Sequence, residues 1–364
     1  MLTESATASR LSEIQEIVRA SSRLLPRGAG SKTAMQAAQA DVTLLEVADL
    51  SGMLEYQAEE FTFTALAGTP LADIERRLAE NGQYLPFDPP LVGRGATLGG
   101  TVAAGLSGPG RYRYGGVRDF ILGVQFVDGR GELVRAGGKV VKNAAGFDLP
   151  KLMVGSLGGL GLMVELAFKV FPRPPAYTTL RCEYASLGEA LEAVNRLGRL
   201  PLEIMALELE PSPSGAALYV RLGGIPEGFA HRLDRLRLIL ESGNQTQMDG
   251  QTELQFWNAQ REFAWADVAW ALVKIAVTPR NVPALDERLA THRAARRYSA
   301  GANLAWVAWP GALGTLDHIL KEIRLPALTV LGPSGQARLG RQVGATFEAR
   351  VRQALDPAGK WLVL

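Results

Sequence analysis

The pattern of hydrophobic and polar residues predicts alternating helices and short strands in the first half of the chain. Residues 8–25 place four aliphatic side chains on one helical face. Apolar runs rich in β-forming residues at 42–47 and 61–66 predict strands. Residues 69–82 predict a helix, because a threonine that can cap it and a proline suited to its first turn precede a final glycine. Residues 120–136 predict a β-hairpin, in which two apolar runs flank an Asp-Gly turn pair.

The second half begins after a predicted strand at 162–171 and a proline-rich segment at 172–175, which predicts a domain boundary. The next predicted elements are strand 177–184, helix 186–198, strands 202–209 and 216–222, helix 226–242 and a strand near 245–249. Their order, βαββαβ, is the split-βαβ arrangement. Ser186 and Glu189 have the spacing of a capping box. The remaining predicted elements are helix 252–265, strand 271–277, helix 282–297, strand 303–309 and a helix near 341–355.

Composition and charge limit the function classes. The 364 residues are 47% hydrophobic, and 39 basic residues nearly balance 37 acidic ones, which does not support a nucleic-acid binder. The densest basic run, Arg293, Arg296 and Arg297, is expected on a solvated helix face. Cys182 is the only cysteine, so a reducing compartment is expected. Neither a signal-peptide pattern nor an apolar run of membrane-spanning length is present, so we expect a cytoplasmic protein.

Several apparent motifs fail on their spacing. RGAGSKT at 27–33 has Ser31 where a Walker A loop needs the glycine before its lysine. GRGATLGG at 93–100 does not fit the G-x-G-x-x-G spacing of a dinucleotide fold and follows no clean buried strand. No G-x-S-x-G elbow occurs. The histidines lack metal-ligand spacing, so no metal site is expected. These histidines are His231, His292 and His318.

Glycine is concentrated in three blocks that can bring bare backbone close to a ligand. Residues 82–161 hold 20 of the 40 glycines. PRGAGS at 26–31 and ATLGGTVAAGLSG at 96–108 leave backbone N–H groups accessible to phosphate oxygens, and the second block adds hydroxyls. GSLGGLGLMVEL at 155–166 repeats the pattern before a strand. Together the blocks predict a large, elongated anionic ligand, and a dinucleotide held outside a Rossmann fold would fit.

In residues 26–174 these blocks occur in unbroken order with "RYGGVRDFILG", "VVKNAAGFDLPKLMVGSLGGLG" and "KVFPRP". This stretch resembles the FAD-binding domain of the vanillyl-alcohol oxidase / p-cresol methylhydroxylase (PCMH-type) family, and within it the smaller FAD-binding subunits of bacterial glycolate oxidases. The resemblance implies an α+β fold: a PCMH-type FAD-binding domain of two α+β subdomains at 1–174 and a split-βαβ (ferredoxin-like) cap at 175–330. A C-terminal helical segment at 331–364 would follow.

The resemblance also implies which residues contact FAD. The diphosphate loop would consist of Arg27, Gly28, Ala29, Gly30 and Ser31. The residues that line the dinucleotide or approach the flavin would be Thr97, Leu98, Gly99, Gly105, Leu106 and Ser107. Gly161 and Val164 would contact the cofactor through their backbone. Asp119 and Asp148 are expected to brace their loops through backbone hydrogen bonds.

Two departures from the family carry information. Some members bind flavin covalently through a histidine at the position of Ser31, and serine cannot make that bond, so noncovalent FAD is expected. The histidine and acidic cluster of related catalytic subunits has no counterpart here, and the chain lacks their usual C-terminal ending. Catalytic residues are therefore not assigned, and Arg280 and Arg341 are candidate carboxylate-binding residues, because arginine suits a bidentate clamp.

The sequence leaves three functions open. In the first, the chain is the FAD subunit of a complex that oxidises glycolate or another small 2-hydroxy acid. The resemblance then implies two partners, a larger FAD subunit and an iron–sulfur subunit. It also implies that the complex brings the chain to the inner membrane, without a membrane-spanning segment in this chain. In the second, the chain is a self-sufficient flavin enzyme with Glu208 or Tyr219 as base. In the third, it only organises the complex.

Overall fold

The structure is a computed structural model and describes residues 4–36, 41–138, 147–241, 243–362 and 364. The helices are α1 Glu4–Ala20, α2 Leu71–Ala79, α3 Leu98–Ala104, α4 Arg111–Tyr114, α5 Leu149–Met153, α6 Leu187–Gly198, α7 Phe229–Leu240, α8 Gly250–Arg261, α9 Val282–Thr291, α10 Leu313–Glu322 and α11 Ala345–Leu355.

The strands of the first half are β1 Leu24–Arg27, β2 Thr43–Glu46, β3 Met53–Gln57, β4 Thr62–Leu66, β5 Gln83–Tyr84, β6 Ile121–Val127, β7 Leu133–Gly137, β8 Leu162–Lys169 and β9 Phe171–Pro172. Those of the second half are β10 Ala176–Tyr184, β11 Ile204–Ser212, β12 Gly215–Gly224, β13 Asn244–Asp249, β14 Ala271–Ala276, β15 Ala295–Ser299, β16 Leu304–Trp309, β17 Pro326–Leu331 and β18 Arg338–Gly340. The predicted α+β class is confirmed.

The chain forms two units. The first combines 1–107, 116–173 and 343–364, and the second combines 108–115 and 174–342. The division at 173/174 falls one residue from the predicted boundary. The C-terminal region that we expected to be one helical segment is shared instead, because β18 belongs to the second unit and α11 to the first.

The first unit is built on a five-stranded sheet in the order β3-β4-β8-β6-β7, beside the parallel pair β1-β2. Its apolar faces bury a cluster to which the C-terminal segment contributes. Trp361 is 2% exposed and packs with Ile14, Val18 and Leu24. The backbone N–H of Leu24 on β1 donates to the carbonyl of Lys360 at 2.8 Å, which ties the end of the chain to this unit.

The predicted hairpin is present as β6 and β7, but its turn is longer than the Asp-Gly pair implied. Residues 128–132 connect the strands, and the carboxylate of Asp128 accepts hydrogen bonds from the N–H groups of Arg130 and Glu132 at 2.9 and 3.0 Å. The positive φ of 77° falls on Gly131. The side chain of Asp128 thus organises a longer loop, as aspartate does in turns.

The helix predicted at 69–82 forms as α2, with Pro70 and not Thr69 as its N-terminal flanking residue. The hydroxyl of Thr69 donates to the carbonyl of Leu66 at 2.7 Å and accepts from the N–H of Gly52 at 2.9 Å. Its oxygen is committed to β4 and the preceding loop, so the expected cap by Thr69 is wrong. By contrast, Ser186 caps α6, accepting from the N–H of Glu189 at 3.2 Å.

The second unit is a nine-stranded sheet in the order β13-β10-β12-β11-β15-β16-β14-β17-β18. Its first half is β10-α6-β11-β12-α7-β13, which is the predicted βαββαβ order. The following segment β14-α9-β15-β16-α10-β17 has the same order, and the sequence patterns indicate only part of it.

The helix expected at 282–297 is wrong in its last part. It ends at Thr291, and residues 295–299 form β15, which pairs with β16. Arg296 binds Asp286 through two contacts of 2.5 and 2.8 Å. Arg297 forms an ion pair of 2.8 Å with Glu210. For Arg296 and Arg297 the predicted solvated helix face is therefore wrong, because strand pairing and the half-buried acids Asp286 and Glu210 override the helical propensity of alanine and arginine, whereas Arg293 is exposed after the end of α9.

Within the described residues, we find no helix that is both long and apolar enough to cross a membrane.

Candidate cofactor site

The first unit contains a cavity, open to solvent, that is lined by all three glycine blocks. Residues 25–32 form one wall, residues of α3 and Thr97 form the second, and residues 157–158 and 161–163 form the third. The remaining lining residues are Met35, Gln36, Val47, Ala67 and Leu364. Segments that are more than 120 residues apart in sequence thus meet around one space.

Most of the residues that the resemblance implied lie on this cavity. They are Arg27, Gly28, Ala29, Gly30, Ser31, Thr97, Gly99 and Gly161. The lining does not include the other five. Leu98 and Leu106 are fully buried, and Gly105 ends α3 with a φ of 60°. The hydroxyl of Ser107 accepts from the N–H of Val117 at 2.9 Å, and the carbonyl of Val164 accepts from the N–H of Ala67 at 2.8 Å. For all thirteen residues, contact with the cofactor stays a prediction.

Gly28 and Gly99 are among the lining glycines that cannot carry a side chain without displacing a neighbour. A Cβ on Gly28 would lie 2.5 Å from Oγ1 of Thr97. A Cβ on Gly99 would lie 2.7 Å from Cβ of Ala67 and 3.0 Å from its carbonyl oxygen. These contacts show why glycine is needed where the first two blocks meet and where α3 packs against the residue after β4, and why the wall facing the cavity is largely backbone.

The two aspartates of the glycine-rich segment brace their loops as expected. Asp119 accepts a hydrogen bond of 2.8 Å from the N–H of Gly116. Asp148 caps α5 by accepting from the N–H of Lys151 at 3.2 Å. Both carboxylates therefore act on backbone of their own loops.

Arg27 and Gln36 hold the first glycine loop in place. Arg27 is an ion-pair partner of Glu46 on β2, with 3.6 Å between Nη1 and the carboxylate. The side-chain amide of Gln36 donates to the carbonyl of Gly30 at 2.9 Å. The charge of Arg27 is thus partly neutralised by an acid on the neighbouring strand.

Lys32 is a lining residue that the sequence reasoning missed. It follows the predicted loop directly, and its place in a failed Walker A pattern is the only signal that points to it. Its side chain is 8% exposed, and its ammonium donates to the hydroxyl of Ser31 at 3.1 Å. Burial lowers the pKa of Lys32 to about 8. Among the described lining side chains, Arg27 and Lys32 are cations and none is acidic.

The two arginines predicted to bind a substrate carboxylate lie at separate places on the surface of the second unit. Arg280 is exposed just before α9, and Arg341 is exposed just after β18, in a surface depression with Lys321 and Arg324. Their assignment to a substrate carboxylate stays a prediction.

The two residues considered as a base are on adjacent strands of the second unit. Glu208 is 3% exposed, accepts a 2.5 Å hydrogen bond from Ser299 and lines a narrow cavity with Arg297. Tyr219 donates to Glu210 at 3.0 Å, and burial raises its pKa. No group of three or more potential metal-binding side chains occurs among the residues that the structure covers.

Comparison with known proteins places the first unit among flavin-binding domains. A family model described as an FAD binding domain matches residues 5–137. The solved structure of an alkyldihydroxyacetonephosphate synthase superposes with a TM-score of 0.68 at 15% identity, covering 96% of this chain and 73% of the other. Fold and cavity thus define an FAD-binding protein of the PCMH type.

The glycolate oxidase subunit GlcE of Escherichia coli (strain K12) is 41% identical over 363 residues, covering 96% of this chain and 94% of the relative. The chain therefore belongs to the PCMH-type FAD-binding family that includes this subunit, and it is an FAD-binding oxidoreductase subunit.

Other relatives match the chain in part. The glycolate oxidase subunit GlcD of Bacillus subtilis (strain 168) is 29% identical over 203 residues, which cover 55% of this chain and 43% of the relative. A D-lactate dehydrogenase of Anaerostipes hadrus is 32% identical over 165 residues, 45% of this chain and 34% of the relative. The similarity shared with these larger proteins is limited to part of their length.

The residues at the cavity fit the diphosphate of FAD. The wall is largely backbone, and the described lining holds two cationic side chains and no acidic one. Ser31 lies on the lining where a covalent attachment would need a histidine. We expect acid precipitation of the loaded protein to leave all FAD in the supernatant. A flavin-fluorescent protein band after denaturing electrophoresis would contradict noncovalent binding.

Proposed function

We propose that this chain is the smaller FAD-carrying subunit, the E subunit, of a glycolate oxidase complex. The complex would oxidise glycolate, or another small 2-hydroxy acid, to the 2-oxo acid. The observation that carries the proposal is the cavity lined by three glycine blocks and no acidic side chain, in a chain 41% identical to GlcE over nearly its whole length. The proposed partners are a larger FAD subunit and an iron–sulfur subunit.

The chemistry divides between the cofactor and the chain. When bound, FAD would supply the acceptor for the hydride, which carries both electrons away from the hydroxyl-bearing carbon, while the hydroxyl proton would pass to a base or to solvent; the iron–sulfur partner would then receive the electrons. The chain itself binds the diphosphate with the backbone of residues 27–31 and encloses the dinucleotide with α3 and residues 157–163. Arg280 and Arg341 are proposed to hold a substrate carboxylate, for which a planar guanidinium is suited.

A second candidate, a self-sufficient oxidoreductase, is favoured by one observation. The carboxylate of Glu208 is buried beside Ser299 and faces a cavity in the second unit, where a general base could receive a hydroxyl proton. A third candidate is a subunit that only organises the complex. It gives no reason for burying the ammonium of Lys32 on the cavity lining without an acidic side chain. We place the complex in the cytoplasm, at the inner membrane through its partners.

The test uses the purified full chain loaded with FAD under anaerobic conditions. Absorbance near the flavin band establishes loading, and glycolate is then added first to the isolated chain and afterwards together with the partner subunits. Bleaching only with the partners supports the proposed subunit role. Bleaching of the isolated chain that is lost in Glu208→Gln supports the self-sufficient enzyme, and a loaded complex that never bleaches with any small 2-hydroxy acid overturns both.

A further inference from the structure

Lys32 is buried in the cofactor cavity with no acidic side chain to balance its ammonium. Its side chain is 8% exposed, and it donates a hydrogen bond to the neutral hydroxyl of Ser31. No carboxylate side chain in the described parts of the chain forms an ion pair with it. Burying an unpaired ammonium is costly, so such a group is expected where a ligand supplies the missing charge.

The position of the ammonium indicates which chemical group of a ligand it can contact. Lys32 follows the loop 26–31, a glycine-rich lining segment of the kind that binds phosphate through backbone N–H groups, and its Nζ lies 3.8 Å from the point where a Cβ of Gly100 would be. The ammonium therefore reaches the space between the first and second glycine blocks. The other lining cation, Arg27, already has Glu46 as its partner. Lys32 is thus the lining cation whose charge is left for the ligand.

We propose that the ammonium of Lys32 binds the diphosphate of FAD and supplies the charge that this anion needs in the cavity. The proposal rests on FAD as the cofactor of this cavity. A lysine acts toward phosphate as a point charge on a flexible stem, which suits a site whose remaining contacts come from backbone. FAD is then held by charge as well as by shape, and its affinity depends on the protonation of one side chain.

The experiment titrates FAD into the apo form of the full chain and follows flavin fluorescence. Lys32→Met is expected to raise the Kd for FAD about 10- to 100-fold, the loss of one charge-assisted contact to a phosphate. Lys32→Arg keeps the charge and is expected to stay within a few-fold of the wild type. The matched control is Lys151→Met, because Lys151 is half-exposed and pairs with Asp148 at 2.6 Å outside the cavity lining; its Kd should not change.

ADP, which contains the diphosphate but no flavin ring, identifies the part of FAD that Lys32 binds. The Kd for ADP, obtained from its competition with FAD, should rise in Lys32→Met by the same factor as the Kd for FAD. The reduction potential of the loaded variant should stay at the wild-type value. Unchanged affinity for ADP with a shifted potential would place the ammonium at the flavin ring and overturn the proposal. An unchanged Kd for FAD in Lys32→Met would also overturn it.

A stability readout separates binding from structure. If Lys32 serves the ligand, the apo form of Lys32→Met should unfold at a temperature equal to or above that of the wild type, because the buried ammonium is gone. A lower apo unfolding temperature together with weaker FAD binding would indicate a structural role and contradict the proposal.

The wild type alone provides a test that needs no variant. The pKa of Lys32 is lowered to about 8 in the free chain, and a bound diphosphate would raise it. Above pH 8 the free chain loses the proton that the complex retains, so the Kd for FAD should rise by up to about tenfold per pH unit. Arg27 is the other charged side chain on the described lining. The pH dependence should be absent in Lys32→Met, and a flat wild-type profile between pH 7 and about 9.5 would overturn the proposal.

No arm of this test contains glycolate or a partner subunit. A failed oxidation assay therefore leaves the result for Lys32 intact, and a failed Lys32 result leaves the proposed oxidation open. A wild-type chain that binds no FAD at all would overturn the role of Lys32.

Discussion

Replacing Gly99 by valine is expected to abolish FAD binding, with a rise in Kd of at least about 100-fold, and to destabilise the first unit by about 1–3 kcal/mol. Gly99 lies in α3, and its N–H donates to the carbonyl of Ala67 at 2.8 Å. A Cβ there would lie 2.7 Å from Cβ of Ala67, so α3 must move away from the end of β4. Both residues line the cavity, and the wall moves with the helix.

The measurements are an FAD titration and urea unfolding of the apo chain. The control is Gly198→Ala. Gly198 is also a glycine in a helix, but no atom lies within 4 Å of the position that a Cβ would take there. That variant should bind FAD as the wild type does. If Gly99→Val binds FAD with wild-type affinity, the cavity is not the cofactor site.

Replacing Glu253 by alanine is expected to destabilise the second unit by about 3–5 kcal/mol, because it leaves a buried arginine without its acid. Glu253 is 2% exposed, and its carboxylate receives two hydrogen bonds from Arg221, at 2.8 and 3.2 Å. It also accepts from the hydroxyl of Thr179 at 3.0 Å. The guanidinium of Arg221 lies 4.0 Å from the ring centre of Tyr177, so no water replaces the lost acid easily.

Urea denaturation followed by tryptophan fluorescence reports this loss, since Trp257 donates to Thr179 in the same cluster. Glu203→Ala, which breaks the exposed ion pair with Arg113, should cost less than about 1 kcal/mol. Removing both charges with Glu253→Met and Arg221→Met should recover much of the stability. Equal effects of Glu253→Ala and Glu203→Ala would contradict the distinction between the buried and the exposed pair.

The sequence by itself determined the features that depend on neighbouring residues. The amphipathic spacing of α1, the capping serine of α6 and the βαββαβ order after residue 175 follow from local periodicity and local hydrogen bonds, and all are present. The three glycine blocks could also be recognised, since a close approach of backbone is possible only without side chains. Their unbroken order carries the resemblance to an FAD-binding family, which depends on the sequence alone.

The tertiary structure alone decided what depends on partners far away in sequence. Arg296 and Arg297 looked like an exposed helix face, and only pairing with β16 and the acids Asp286 and Glu210 made them part of a half-buried strand. The C-terminal residues returned to the first unit because Trp361 fills its core. Lys32 directly follows the first glycine block in the sequence, but only the fold buries it without an acidic side chain as partner. Periodicity predicts which face is apolar, whereas the desolvation and pairing of a charge depend on segments that the fold brings together.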